Sequence, residues 1–327
     1  MKFAGGDDGP VIFAPPPLTK IPSAVTHQGL SGGSSVYDIA PPTPAHLRFS
    51  QGGGGSRFPT PGVDDVEVRD VWAHNLENEV AKIHALLPRY YVVCIDTEFP
   101  GTVHGCNTPH YLRTPRESYA VVKRNVDELQ LLQLGITLSS PSAGRSPVVW
   151  QFNFRGFDVS RDPHAPSSIA MLMAHGLDFS TLRTFGIEPA AFARAFYRSG
   201  LGCGRLAWAA FSGSYDFAYL AKMLGDGRRL PETLEGFMSQ VESIFGPAVL
   251  DVKYIARFCG EGGGIRGGLE KVAATLGVQR SAGRAHNAGS DSLLTSDVLR
   301  AMMRRFFPNG GVFNHAGVIE GLVQRNT

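Results

Sequence analysis

The chain has 327 residues, 43% of them hydrophobic and 18% charged, with a formal net charge of +2. That length accommodates one large domain with a tail or two small domains, and the apolar content supports a sizeable core. The near-balanced charge excludes a molecule-wide basic field, so any contact with nucleic acid has to be local. Cys94, Cys106, Cys203 and Cys259 are scattered without C-x-x-C or Cys/His zinc spacing, which points to reduced thiols of an intracellular protein. The opening residues Met1 to Pro10 lack an apolar stretch and acquire acids early, against a secretory or transit peptide. No run approaches the ~18 apolar residues of a membrane span, so a soluble protein is expected.

Residues 1–66 are rich in Gly, Pro and Ser, as in Ala14-Pro-Pro-Pro-Leu18 and Gln51-Gly-Gly-Gly-Gly-Ser56. Such a stretch buries too little apolar surface to offset chain entropy and reads as a disordered tail, leaving a folded domain over 67–327. Val71, Trp72, Leu76, Val80, Ile83, Leu86 and Leu87 recur at helical spacing, and Pro88 ends that helix. Tyr90 to Ile95 reads as a strand, a polar stretch runs from Gly101 to about Arg124, and Val126 to Leu138 reads as a second strand. Ser139 to Pro147 is a turn before a third strand, Val148 to Phe154, so the strands begin as a meander. Helical patterns cover Ser167–Ala174 and Pro189–Ser199. Arg205–Phe211 reads as a fourth, central strand and Tyr215–Leu224 as the helix after it. Helices at Pro231–Phe245, Gly268–Leu276 and Ser290–Phe307, with a fifth strand over Ala248–Tyr254, complete an α/β fold around a mixed sheet.

The stretch with most chemical content is Cys94-Ile-Asp-Thr-Glu-Phe-Pro-Gly101. Strand residues i and i+2 project from one face, so Asp96 and Glu98 point to the same side. Like charges so placed are destabilising unless a cation sits between them; taken alone, a strand leaving for solvent explains the pair equally well. Asp216 and Asp291 each open a helix, where capping and the helix dipole also favour acids. Together, four carboxylates without cysteine suit hard divalent cations, Mg²⁺ or Mn²⁺. Two such ions about 3.5–4 Å apart serve phosphodiester hydrolysis. His286, five residues before Asp291, is the candidate base for the attacking water.

The order Asp96-x-Glu98, Asp216, His286-x-x-x-x-Asp291 resembles the DEDDh class of 3′→5′ exonucleases, which have a ribonuclease-H-like fold with a central mixed sheet flanked by helices. More narrowly, the wording resembles the Caf/Pop deadenylases of the Ccr-Not complex. The resembling segments include Val71-Trp-Ala-His-Asn-Leu76, Ile95 to Gly101, Asn125-Val-Asp127, Gln133-Leu-Gly135, Trp150 to Phe154, Ser214 to Phe217, Asp251-Val-Lys-Tyr254, Gly267-Gly-Leu269 and His286 to Thr295. They keep the family's order over roughly 66–327. The resemblance implies a poly(A)-specific 3′→5′ exoribonuclease that releases AMP, with two divalent cations, Mg²⁺ or Mn²⁺, as cofactors. Asp96 is then shared by both ions, Glu98 and Asp291 hold the water-activating ion, Asp216 serves the second, and His286 is the general base. Poly(A) RNA, a Ccr-Not scaffold subunit and a second deadenylase subunit are the implied partners, in cytoplasm and nucleus. The alternatives are a DEDDh exonuclease of broader RNA or DNA specificity and a weakly active scaffold subunit.

One motif departs from the family. Members usually read Phe-His-Ser-Gly-Tyr-Asp before the third acid, whereas this chain reads Phe211-Ser-Gly-Ser-Tyr-Asp216, so Ser212 replaces a histidine. Gly262-Gly-Gly-Ile-Arg-Gly267 fits G-x-G-x-x-G but lacks a strand–turn–helix setting and reads as a loop. Asp251 and Lys253 rank as secondary candidates. Arg257, Arg280 and Arg284 are candidate guides for an RNA backbone, with a solvated surface as the default for each.

Overall fold

The sheet consists of β1 (Val68–Val71), β2 (Val92–Glu98), β3 (Gln133–Ser139), β4 (Val148–Asn153), β5 (Ala207–Ala210) and β6 (Val249–Asp251), in spatial order β1-β4-β3-β2-β5-β6. The structure, a computed structural model, describes residues 66–140, 145–260 and 262–322. Residues 1–65 of the expected tail and 141–144 of the expected turn lie outside the described residues. Strands β2, β3 and β4 pair antiparallel as the expected meander, while β1 runs parallel to β4, and β5 and β6 continue parallel beyond β2. Ten helices flank this sheet among the described residues: α1 (Leu76–Leu86), α2 (Pro115–Glu128), α3 (Pro166–Ala174), α4 (Phe179–Phe185), α5 (Pro189–Ser199), α6 (Ser214–Leu224), α7 (Leu234–Phe245), α8 (Val252–Ala256), α9 (Leu269–Thr275) and α10 (Ala288–Phe306). No described helix is long and apolar enough to cross a membrane.

Alternation along the strands divides the core in two. Val93 and Ile95 of β2, with Trp208 and Ala210 of β5, pack under α1, α2, α5, α6 and α7. Val92 and Cys94, with Ala207, Ala209 and Leu250, pack under α8, α9 and α10. Each large aliphatic side chain so buried contributes about 1.5–3 kcal/mol. A one-residue slip of β2 would exchange the two faces, so packing fixes the register. The same register sends Asp96 and Glu98 toward α10 and Thr97 toward α6.

Several expected boundaries move, each for a local reason. Val71 belongs to a separate edge strand, β1, whose parallel partner β4 is far away in sequence. The polar stretch from Gly101 to about Arg124 turns helical at Pro115, where α2 begins. Thr114 and Glu117 form a reciprocal capping box, Pro115 occupies the first turn, and Tyr119, Val122 and Val126 make the buried face. Val126 therefore closes a helix, and β3 begins only at Gln133. The strand expected through Tyr254 stops at Asp251, whose carboxylate caps α8. β5 lies one strand in from the β6 edge and is not central. α4, capped by Asp178, was not expected.

Candidate active site

The site forms where β2 outruns its neighbour. β5 pairs with β2 only as far as Ile95 opposite Ala210, whereas β3 follows β2 to its end, with Gly135 opposite Asp96 and Gln133 opposite Glu98. Beyond Ala210 the flank of Asp96–Glu98 is free of strand, and the start of α6 fills it. Gly135 serves the other face. A Cβ at Gly135 would lie 1.9 Å from the Ala288 carbonyl oxygen, so only glycine lets the first turn of α10 settle beside Asp96.

Asp216, in the first turn of α6, reaches the site from the face opposite α10. Thr97 Oγ1 donates to Asp216 Oδ1 at 2.6 Å, and the contact is buried. The loop that delivers Asp216 is clamped from below. Asp251 is fully buried and accepts from the backbone N–H groups of Ser212 (3.2 Å), Gly213 (2.9 Å), Tyr254 (3.1 Å) and Glu320 (3.0 Å). Ser212 has φ +60°, a left-handed conformation that costs a non-glycine residue about 1–2 kcal/mol. The Asp251 carboxylate, with charge-assisted bonds to that loop, offsets this cost.

Asp291 arrives on the first turn of α10, which is stitched to the sheet by polar contacts. Gly289 N–H donates to Gln151 Oε1 at 3.1 Å, and the Ser292 and Thr137 hydroxyls lie 2.8 Å apart. His286 precedes the helix with φ +60°, and its backbone N–H donates to Asp291 Oδ2 at 3.1 Å. Its exposed ring meets the His175 ring edge-on at 4.7 Å between centroids. Ligand-type atoms of Glu98, His286 and Asp291 all lie within 4.8 Å of one another. Arg280 closes the group, with Nη2 2.6 Å from Asp291 Oδ1.

These acids strain one another. Burial first, then the charges of Asp216, Glu98 and Asp291, push Asp96 well above the usual carboxylate range, which places all three acids around it. Burial and the charges of Asp291 and Asp216 push Glu98 up to about 8. Burial pushes Asp216 up to about 7 against the opposing Thr97 hydrogen bond. Asp291 is raised by burial, with Arg280 opposing. Among the described residues no hydrogen-bond donor reaches the Asp96 or Glu98 carboxylate, and the buried Asp291 Oδ1 accepts no aligned hydrogen bond despite the nearby guanidinium. Buried carboxylates left without donors call for protons or cations, and an all-oxygen set with one imidazole at its edge fits hard divalent ions.

All five residues singled out from the sequence, Asp96, Glu98, Asp216, His286 and Asp291, thus meet in one place. Asp251 belongs to the clamp beneath the loop. Of the three arginines, Arg280 enters the site, Arg257 pairs with Glu320, and Arg284 lines a cleft of about 310 Å³ with Gln151 and His175. The Gly262–Gly267 stretch follows helix α8 and not a strand, so no dinucleotide cradle forms. Thr97 and His175 were missed. Thr97 points away from Asp96 by strand alternation, and nothing local in the sequence places His175 beside His286.

Residues 71–192 match the family described as CAF1 family ribonuclease. The Arabidopsis thaliana protein named probable CCR4-associated factor 1 homolog 7 is 39% identical over 272 residues, 80% of this chain and 96% of that protein. Poly(A) ribonuclease pop2 of Schizosaccharomyces pombe is 37% identical over 259 residues, 76% of this chain and 75% of that protein. The solved structure of S. pombe Pop2p in its Mg²⁺- and Mn²⁺-bound form is 36% identical with a TM-score of 0.70, covering 78% of this chain and 99% of that one. A chain in the structure of the yeast NOT1 MIF4G domain co-crystallized with CAF1 is 27% identical with a TM-score of 0.62, covering 80% of this chain and 100% of that one. With relatives this similar over most of its length, on a mixed-sheet α/β fold shared with the Pop2p structure, the chain belongs to the CAF1 ribonuclease family.

Proposed function

We propose that the chain is a metal-dependent 3′→5′ exoribonuclease that shortens the poly(A) tails of messenger RNA and releases AMP. The observation that carries this reading is the gathering of Glu98, Asp216 and Asp291 around Asp96, with His286 beside them. It occurs in a chain similar over most of its length to a protein named Poly(A) ribonuclease pop2. Asp96, at the centre, would be the carboxylate common to both ions. Glu98 and Asp291, whose oxygens cluster with His286, would hold the ion that activates water, and Asp216 would hold the second. When bound, Mg²⁺ or Mn²⁺ supplies the charge that acidifies the attacking water and stabilises the leaving oxygen. His286 takes the water's proton from its exposed position at the rim. Thr97 fixes the orientation of Asp216, and the Asp251 clamp fixes the loop that carries it.

By likeness to the CAF1 chain crystallised with NOT1 and to the CCR4-associated relatives, the protein is a subunit of a Ccr-Not assembly, docked on the scaffold and beside a second deadenylase. It acts in cytoplasm and nucleus through residues 67–327, with 1–66 as an appended tail. The test uses the full chain and 5′-labelled RNAs ending in a 3′ A-tract or a 3′ U-tract. The A-tract is expected to shorten one nucleotide at a time with Mg²⁺ or Mn²⁺, yielding AMP, and to stop on adding EDTA. Equal loss of the U-tract would overturn the poly(A) preference, and shortening that persists in EDTA would overturn the metal dependence.

A further inference from the structure

Arg280 lies on the segment between α9 and α10, and its side chain is only 16% exposed. Its guanidinium has two anchors, the Glu270 carboxylate on α9 and the Ser290 hydroxyl on α10. Ser290 Oγ is itself fixed, donating to the Ala282 carbonyl at 2.6 Å. The third contact is of another kind. Nη2 lies 2.6 Å from Asp291 Oδ1, an ion pair with the proposed ligand oxygen itself. The same guanidinium also opposes the upward push on Asp96.

We propose that Arg280 is a positioning residue that acts as the resident counter-cation of the site, occupying Asp291 when no metal is bound and yielding that oxygen to an incoming ion. The inference rests on the reading of Asp291 as a metal ligand. Carboxylates brought together in one site repel one another wherever they are ionised, and a fixed positive charge beside Asp291 offsets that repulsion. A divalent ion and a guanidinium repel each other across a single carboxylate oxygen, so the two compete for Oδ1. Glu270 and Ser290 retain the guanidinium close by while it gives way. Arg280 therefore stabilises the metal-free protein and at the same time weakens metal binding. A purely structural arginine has the opposite signature, since its loss would loosen Asp291 and weaken metal binding together with stability.

The test compares the wild-type full chain with Arg280→Gln, Arg280→Lys and Asp291→Asn. Mn²⁺ affinity is measured by titration calorimetry, and thermal unfolding is followed in EDTA and in saturating Mn²⁺. Removing the fixed positive charge that competes for Oδ1 is expected to tighten Mn²⁺ binding by about tenfold in Arg280→Gln. That variant's melting temperature should drop in EDTA and recover in Mn²⁺, with Arg280→Lys between it and the wild type. Mn²⁺ affinity that is unchanged or weaker in both Arg280 variants overturns the proposal while leaving Asp291 a ligand, provided Asp291→Asn loses binding. If Asp291→Asn binds Mn²⁺ as the wild type does, the ligand assignment fails and the proposal with it.

Discussion

Loading the site with metal should expel protons, and the number follows from the structure. In the metal-free protein Glu98 is pushed up to about 8 and Asp216 to about 7. At pH 7, roughly nine-tenths of Glu98 and half of Asp216 carry a proton. A carboxylate binds a cation as the anion, so metal binding at pH 7 releases about one proton or more from these two groups, and fewer at pH 8. The assay is Mn²⁺ titration calorimetry in buffers of different ionisation enthalpy, where the slope of observed heat against buffer enthalpy gives the proton count. A slope above one at pH 7 that declines toward pH 8 is expected, with apparent affinity rising over the same range. A slope near zero at pH 7 would mean that the acids are already ionised in the free protein, and would refute the reasoning from burial and repulsion.

The same raised groups make the metal-free protein lose stability as pH rises. Their protonated forms are favoured by the fold, so their contribution is full below the ordinary carboxylate range and disappears on passing through about pH 7–8. Denaturant melts in EDTA between pH 5 and 8 should show that fall, which added Mn²⁺ reverses; a flat profile contradicts it. Gly135→Ala forces a methyl group against the Ala288 carbonyl and should destabilise by about 1–3 kcal/mol or more, while nuclease activity falls because α10 moves away from Asp96. Equilibrium unfolding and turnover measured together check this, and unchanged values would contradict the close approach. Thr97→Val removes the only side-chain hydrogen bond recorded to Asp216 among the described residues and should cost about 1 kcal/mol in stability, with a larger relative loss in kcat than in KM.

What the sequence disclosed were features whose physics is local or whose spacing is chemical. Asp96 and Glu98 were placed on one face by strand alternation, and β2 indeed turns both toward α10. Asp216 and Asp291 were joined to that pair because four carboxylates together suit divalent cations, and the resemblance then gave each a role; no local rule states that a helix on the opposite face will reach round the end of β5. Misread elements share a cause. β1 is four residues long and owes its strand character to β4, nearly eighty residues away. The start of α2 was legible in Thr114-Pro-Arg-Glu117, a capping box inside a polar stretch to which no element was assigned. Asp251 was ranked as a secondary site acid because its four backbone donors come from three separate segments, visible only after folding. Arg280, a candidate guide for an RNA backbone with a solvated surface as the default, gave no sign of its place in the site, since its partners Glu270, Ser290 and Asp291 close around it only when α9 and α10 pack.

Asp96→Asn tests the central claim most directly, because it removes the one charge around which the other three acids gather and leaves the side-chain shape almost unchanged. Wild type and variant are incubated with a 5′-labelled RNA bearing a 3′ A-tract and Mg²⁺, and both are melted in EDTA at pH 8. The wild type should shorten the tract stepwise, whereas the variant leaves it intact and melts at least as high as the wild type, relieved of the central repulsion. Equal shortening by the two proteins would show that catalysis lies elsewhere and would contradict the account.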